Sequence, residues 1–251
     1  MKKIITIGNR KGGVGKTTTA AAVASCLKAD GERVLLVDLD SQCNLSSNVG
    51  ADASRTSILN VLLDGVHAKD AIQPSCICDI IPGSLEFGKI EDALGKKTGR
   101  EFRLIESLVP LKDDYDYCVL DTPPNLGIAT TNALTASDDL IIPTIAESFA
   151  LDGVAQLYDS IQEVRHYTNK TLRIAGILVT LYNGRAILSR NMYDELEKMA
   201  SSMGTKVFKQ TIRRSINVAE AQQSSKDLFD YAANSNAAQD YKAFVNEYLE
   251  G

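Results

Sequence analysis

The sequence has 251 residues, of which 44% are apolar and 24% are charged, as in an ordinary folded protein. A chain of this size can bury a large core, so neither disulfides nor a structural metal is needed to hold it together. No run approaches the roughly 18 apolar residues of a membrane span. The apolar run at the N-terminus is too short for the core of a signal peptide. We therefore expect a cytoplasmic protein.

The charge of the chain is unevenly distributed. The net charge is −5, yet residues 161–214 contain ten Lys or Arg and only four Asp or Glu. An acidic protein with one basic region is a candidate for contact with a polyanion through that region alone. The five cysteines form no C-x-x-C pair, which fits a reducing compartment. A metal or redox role for Cys76 and Cys78 is the alternative to simple buried thiols.

Short β-branched apolar runs alternate with helical patterns along the chain. The predicted strands are residues 3–7, 33–38, 78–81, 117–120, 139–142, 174–180 and 206–208. The predicted helices are residues 17–30, 56–63, 149–167, 189–202 and 236–249. Most strand candidates are apolar throughout, which is typical of parallel strands buried on both faces. The pattern predicts an α/β fold, a doubly wound and mostly parallel sheet with helices on both faces, in a single domain of residues 1–251.

A phosphate-binding loop is predicted between the first strand and the first helix. Its residues are Lys11, Gly12, Gly13, Val14, Gly15, Lys16, Thr17 and Thr18. Glycines let backbone N–H groups converge on phosphate oxygens, and the helix N-terminus adds its positive end. Lys16 is then expected to bind the β- and γ-phosphates of ATP, and the Thr17 hydroxyl to bind Mg²⁺. The strict pattern G-x-x-x-x-G-K-[S/T] has glycine at position 10, where this chain has Arg10 before a second lysine, Lys11.

Carboxylates follow two further strands. Asp38 and Asp40 end the second strand at a spacing that lets both point to one side of the sheet edge, where α/β proteins bind ligands. Asp121 ends the fourth strand and precedes Thr122, Pro123 and Pro124. An apolar strand that delivers one aspartate is typical of a site that holds Mg²⁺, usually through its water shell.

These motifs together resemble the ParA/MinD group of P-loop ATPases with a deviant Walker A box. The resemblance implies that Lys11 crosses a dimer interface to the nucleotide of the partner subunit, so that ATP joins a homodimer. Residues 38–44 resemble the ParA box D-x-D-P-Q-x-N, with Ser41 in place of proline. By that likeness Asp40 orients the attacking water, and Asp38 supports the Mg²⁺ shell. Residues 121–124 resemble the switch II box of the group.

The resemblance continues through residues 143–153, 176–185 and 206–221, so it covers almost the whole chain and favours the short, Soj-like ParA proteins. It implies that Asn183, Ile212 and Arg213 belong to the nucleotide site. Members of the group tend to read I-P-R-N-V-R-L-x-E-A-P, where residues 212–222 of this chain read IRRSINVAEAQ. Arg213 therefore replaces a proline, and Asn217 replaces a basic residue.

The resemblance also implies nonspecific DNA binding, a place on the nucleoid and a ParB-like partner that stimulates slow hydrolysis. Nonspecific binding depends mainly on cations that neutralise phosphates. The basic region offers six candidates: Arg185, Arg190, Lys206, Lys209, Arg213 and Arg214. No recognition helix is evident, so we expect no reading of DNA sequence.

Two other functions of P-loop ATPases fit the sequence less well. A MinD-like membrane-cycling ATPase needs a basic amphipathic C-terminal helix, whereas residues 240–251 contain three acids and one lysine. We therefore expect no membrane binding. An iron-sulfur reductase needs cysteines after the later strands, and none follows Asp121 or Pro143 in their loops. A nucleotide switch without a partition role stays open.

Overall fold

The computed structural model describes residues 1–95, 97–147 and 150–251. Within these residues one parallel sheet is formed in the order β3-β2-β4-β1-β5-β6. The strands are β1 (Lys3–Ile7), β2 (Val34–Asp38), β3 (Asp79–Ile81), β4 (Tyr117–Asp121), β5 (Asp139–Ile145) and β6 (Arg173–Thr180). Because β1 lies between β4 and β5, the loop that follows β1 emerges at the middle of the carboxyl edge.

Helices cover both faces of the sheet, which confirms the predicted fold class. They are α1 (Lys16–Ala29), α2 (Asn44–Asn48), α3 (Ile58–Asp64), α4 (Ile90–Leu94), α5 (Arg103–Leu108), α6 (Ile128–Ala136), α7 (Ala150–Tyr167), α8 (Ile187–Ser202), α9 (Ile216–Gln223), α10 (Leu228–Ala232) and α11 (Asn236–Glu250). Alternate residues of β2 face opposite layers, as the strand period of two requires. Val34 and Leu36 pack in the layer of α1 and α11, and Leu35 and Val37 pack in the layer of α3, α5 and α6.

Several predicted bounds differ from those observed. Residues 206–208 do not form a strand, since only Val207 makes an isolated bridge, to Ile177. The prediction for the third helix begins at residue 149, which lies outside the described residues, and this helix, α7, is described from Ala150. Helix α6 was not predicted, because its sequence IATTNALTA is buried nearly all round and shows no amphipathic period.

Candidate nucleotide-binding site

The loop between β1 and α1 has the backbone of a phosphate cradle. Gly13 and Gly15 have φ angles of 72° and 83°, in the left-handed region that other residues rarely adopt. A Cβ atom added at Gly12 or Gly13 would meet nothing within 4 Å, so this side of the loop is open. The first N–H groups of any helix lack partners inside it, and those of α1 begin at Lys16. The loop therefore offers several backbone donors to an anion.

Side chains from distant segments hold this loop in place. Asn9 donates from Nδ2 to the Pro143 carbonyl oxygen at 2.7 Å and accepts the N–H of Lys11 at 3.0 Å. Thr180, the last residue of β6, donates from Oγ1 to the carbonyl oxygen of Val14 at 2.8 Å. Sequence reasoning missed both Asn9 and Thr180, because neither position is marked by anything but its place in the fold.

The two lysines of the loop differ in burial and in partner. The Lys16 residue is 7% exposed, and its Nζ donates to the carbonyl oxygen of Lys11 at 3.0 Å. Burial lowers the pKa of Lys16, and the nearby carboxylates of Asp121 and Asp40 oppose that shift. The Lys11 Nζ lies 3.2 Å from a carboxylate oxygen of Glu147, whose side chain is 64% exposed. Lys11 therefore makes its ion pair at the surface, while Lys16 points into the site.

Asp121 is a buried carboxylate without a partner. It is 1% exposed, and neither of its oxygens accepts a hydrogen bond from any residue that the structure describes. Burial raises its pKa well above the usual range, and the charge of Asp38 adds to this, while Thr17 and Lys16 oppose it. A buried charged group is costly unless it is paired, and carboxylate oxygens are the ligands that Mg²⁺ prefers. The site therefore fits a divalent cation between Asp121 and Thr17.

Asp38 lies directly beside Asp121 in the sheet but has a full set of partners. It accepts the N–H of Asp40 at 3.1 Å, and the N–H and hydroxyl of Ser46 at 2.9 and 2.7 Å. Burial raises the pKa of Asp38, although these hydrogen bonds oppose the shift. Asp38 thus holds the turn after β2, whereas the oxygens of Asp121 have no hydrogen-bond donor among the described residues.

Asp40 sits on that turn, 9% exposed, and its Oδ1 accepts the N–H of Gln42 at 3.0 Å. Gly83, in the loop after β3, packs closely against this turn. A Cβ atom at Gly83 would lie 3.0 Å from the Asp40 carbonyl oxygen and 3.1 Å from the Asp38 carboxyl carbon. Its N–H also donates to the Ser46 hydroxyl at 2.9 Å. Sequence reasoning missed Gly83 and Ser46.

The three residues predicted for the base of the nucleotide lie beyond the end of β6. Ile212 is buried, and its carbonyl oxygen accepts the N–H of Tyr182 at 2.9 Å. Asn183 is exposed, and its Oδ1 accepts the N–H of Arg185 at 3.2 Å. Arg213 forms a two-armed ion pair with Asp240, at 2.9 and 2.7 Å.

The predicted DNA-binding residues lie on the segment from the end of β6 to the start of α9. Arg185, Arg190, Lys209 and Arg214 are exposed, and Lys206 lies over the ring of Phe208. Among the described residues, Arg213 is the member of the six that forms an ion pair with an acid. Five of the six cations are therefore not neutralised by a partner in that part of the chain.

A phosphate loop after the central strand and an unpaired aspartate at the end of the adjacent strand are the arrangement of a P-loop nucleoside triphosphatase. Comparison with known proteins narrows this class. Residues 2–174 match the AAA_31 family, described as an AAA domain. The sporulation initiation inhibitor protein Soj of Bacillus subtilis strain 168 is 37% identical over 251 residues, covering 98% of both chains.

Two further similarities extend over nearly the whole chain. The chromosome-partitioning ATPase Soj of Thermus thermophilus is 37% identical over 245 residues, covering 98% of this chain and 94% of its own. The structure of cobyrinic acid a,c-diamide synthase from Mycobacterium smegmatis with bound ADP and magnesium is 33% identical, with a TM-score of 0.86, and the match covers 100% of this chain and 95% of that one. The chain belongs to the ParA/Soj-type family of partitioning ATPases.

Proposed function

We propose that the chain, acting as one ATPase unit of residues 1–251, partitions DNA by a cycle of ATP-dependent dimerisation and DNA binding. It binds ATP and Mg²⁺ at the loop of residues 11–18, as a homodimer binds DNA without sequence preference, and is reset by hydrolysis that a ParB-like partner stimulates. The observation that carries this proposal is the combination of an open glycine cradle, a buried Lys16 and the unpartnered Asp121.

Different residues of the site bind different parts of the nucleotide. Lys16 neutralises the terminal phosphates from a buried position, where a charge acts more strongly than in water. Thr17 and Asp121 hold Mg²⁺, and Asn183, Ile212 and Arg213 form the side of the site nearest the base. When bound, Mg²⁺ neutralises charge that develops on the phosphates. Asp40 orients the attacking water, supported by the hydrogen bonds of Asp38 to the same turn.

Lys11 is suited to act on a second subunit. Its side chain is 29% exposed, and its partner Glu147 is mostly exposed. Surface ion pairs of this kind are worth about 0–1 kcal/mol, so the pair is exchanged at little cost for a phosphate of the partner subunit. A cation that completes the site only in the dimer makes assembly depend on ATP.

DNA binding is assigned to the basic segment. The exposed cations Arg185, Arg190, Lys209 and Arg214 are doubled in a dimer, and phosphate contacts of this kind give affinity without sequence preference. The dimer is thereby placed on the nucleoid, in the cytoplasm. Because ATP selects the dimer, nucleotide and DNA binding are thermodynamically linked.

The membrane-cycling alternative is less well supported. Within the residues described, no helix has the length and hydropathy to cross a bilayer. The C-terminal helix α11 also has no free apolar face for a lipid surface, because Tyr241, Phe244, Val245 and Tyr248 are buried in the core with α1. Docking of α11 on lipid would require that this core be opened.

The lysine pair gives the sharpest test of the cycle. Lys16→Ala removes the buried cation of the chain's own site, so we expect ATP binding to be lost in titration calorimetry. Lys11→Ala leaves that site intact, so ATP should still bind while the ATP-dependent dimer disappears in size-exclusion light scattering. Normal ATP binding by Lys16→Ala would overturn the site assignment, and a normal dimer of Lys11→Ala would overturn the role of Lys11 between subunits.

Hydrolysis and dimerisation can be tested separately at Asp40. Asp40→Ala removes the carboxylate that orients water but leaves the loop in place. We expect slow turnover with an intact ATP-bound dimer. Turnover equal to that of the wild type would remove Asp40 from the hydrolytic step.

A further inference from the structure

Helix α9 makes a direct polar contact with the phosphate loop. Gln222, near the end of α9, donates from Nε2 to the Thr18 Oγ1 at 3.0 Å. Both side chains are half-buried, and the neighbouring Ala221 is 2% exposed. The two residues are 204 positions apart in sequence, so the contact is a product of the fold. Helix α9 also packs against α2, which follows the turn of Asp38 and Asp40.

The chemistry of the pair fixes where the Thr18 hydrogen can go. An amide nitrogen donates but does not accept, so the Thr18 oxygen must be the acceptor of this bond. The hydroxyl hydrogen is then free for another acceptor, and the first turn of α1, where Thr18 lies, is the end of the helix that favours an anion. A hydroxyl that accepts one hydrogen bond is also a stronger donor in the next.

We propose that Gln222 is a positioning residue of the nucleotide site, which turns the Thr18 hydroxyl toward a phosphate oxygen of the bound nucleotide. The inference rests on the proposed assignment of Thr18 to that site. It has a consequence for α9, because binding free energy is reciprocal. A nucleotide that binds better with α9 in contact also holds α9, and with it Arg214 just before the helix, in one position.

Two substitutions of Gln222 separate positioning from packing. Gln222→Ala removes the donor, so we expect Mg-ATP to bind about fivefold more weakly, the equivalent of one hydrogen bond. Gln222→Glu keeps the shape but can only accept, so it takes the Thr18 hydrogen and brings a negative charge near the phosphates. It should therefore bind Mg-ATP more weakly than Gln222→Ala. Gln223→Ala, an exposed neighbour on the same helix, is the matched control and should bind as the wild type does.

The order of affinities decides the question. A role in packing alone predicts the opposite order, with Gln222→Glu close to the wild type and Gln222→Ala weakest, and either that order or no difference from Gln223→Ala overturns the inference. Hydrogen exchange provides a second readout. ATP should slow exchange of the α9 amides in the wild type and in Gln223→Ala but not in Gln222→Ala, and equal slowing in all three would also overturn it.

A double-mutant cycle assigns the effect to Thr18. In a Thr18→Val background the hydroxyl is absent, so Gln222→Ala should cause no further loss of affinity. A full additional fivefold loss would show that Gln222 acts elsewhere. Lys16→Ala shows whether the inference about Gln222 or the nucleotide site itself is wrong. If Lys16→Ala loses ATP binding while the Gln222 variants bind ATP normally, only the inference about Gln222 fails. If Lys16→Ala binds ATP normally, the proposed nucleotide site fails.

Discussion

Two aspartates at the ends of adjacent strands have opposite surroundings. Asp38 accepts three hydrogen bonds from Asp40 and Ser46, whereas Asp121 accepts none from the described residues. Both are buried. A carboxylate whose oxygens are all used by the backbone stabilises the fold, and one that is buried without partners costs free energy. We therefore expect Asp38 to stabilise the fold and Asp121 to serve the binding of a cation.

Replacing each of the two aspartates with asparagine should change the free energy of unfolding in opposite directions. Asp121→Asn removes a buried acid whose ionisation burial opposes, so we expect a gain of about 1 kcal/mol in the free energy of unfolding together with loss of ATP turnover. Asp38→Asn should lower the free energy of unfolding by about 2 kcal/mol, because an amide cannot accept all three hydrogen bonds. Urea unfolding without nucleotide and a phosphate-release assay measure both effects. A destabilised Asp121→Asn would contradict the account.

A third aspartate, Asp139, stabilises the opposite edge of the sheet. It begins β5 and accepts hydrogen bonds from Lys3, Arg173 and Tyr248 at 2.7–2.8 Å. Burial alone would raise the pKa of Asp139, but these partners outweigh burial and hold it at about 2. The carboxylate is thus ionised at neutral pH.

The low pKa of Asp139 makes the stability of the protein depend on pH. Since the folded pKa lies below that of an unfolded aspartate, about 3.9, the stabilisation is complete above about pH 5 and is lost as the pH falls toward 2. We expect the wild type to lose about 2 kcal/mol of stability over this range through Asp139. Asp139→Asn should be less stable at neutral pH and should have a flatter profile in urea unfolding between pH 2.5 and 7. Parallel profiles would contradict the assignment.

At the scale of the elements, the strands and the carboxylates at their ends were predictable from the sequence. Buried parallel strands are apolar throughout, and Asp38 and Asp121 are the first charges after such runs. The wrongly predicted strand, residues 206–208, contains an apolar pair, Val207 and Phe208, that packs beside β6 and forms only an isolated bridge to it. Asn9, Ser46, Gly83 and Thr180 could not be found, because their roles depend on contacts between distant segments.

The loop after β3 provides a test at this scale. Gly83→Ala places a Cβ atom against the turn of Asp38 and Asp40, which must shift by a few tenths of an ångström. Because catalysis is sensitive to small displacements, we expect turnover to fall about tenfold with a smaller effect on ATP affinity. Gly88→Ala is the matched control, since a Cβ at Gly88 meets nothing within 4 Å. Equal turnover of the two variants would show that the approach of Gly83 to the turn is unimportant.

At the scale of the whole molecule, an acidic protein presents one basic segment next to its nucleotide site. The net charge is −5, while residues 161–214 have a net charge of +6. Arg213 is held by Asp240, whereas Arg214 is exposed. We therefore expect Arg214→Ala to weaken DNA binding and to reduce its salt dependence by about one phosphate contact, and Arg213→Ala to leave that salt dependence unchanged because Asp240 already pairs with Arg213. Equal salt slopes for Arg214→Ala and the wild type would contradict the assignment.

The central claim is that ATP controls DNA binding by this segment. The most direct measurement is DNA retention by the full chain with ADP, ATP or a nonhydrolysable ATP analogue, over a range of salt concentrations, with anionic lipid vesicles in a parallel series. The account predicts retention with ATP and with the analogue, little with ADP, a steep loss with salt, and no retention on vesicles. DNA binding that is equal with ADP and ATP, or ATP-dependent retention on the vesicles instead, would contradict it.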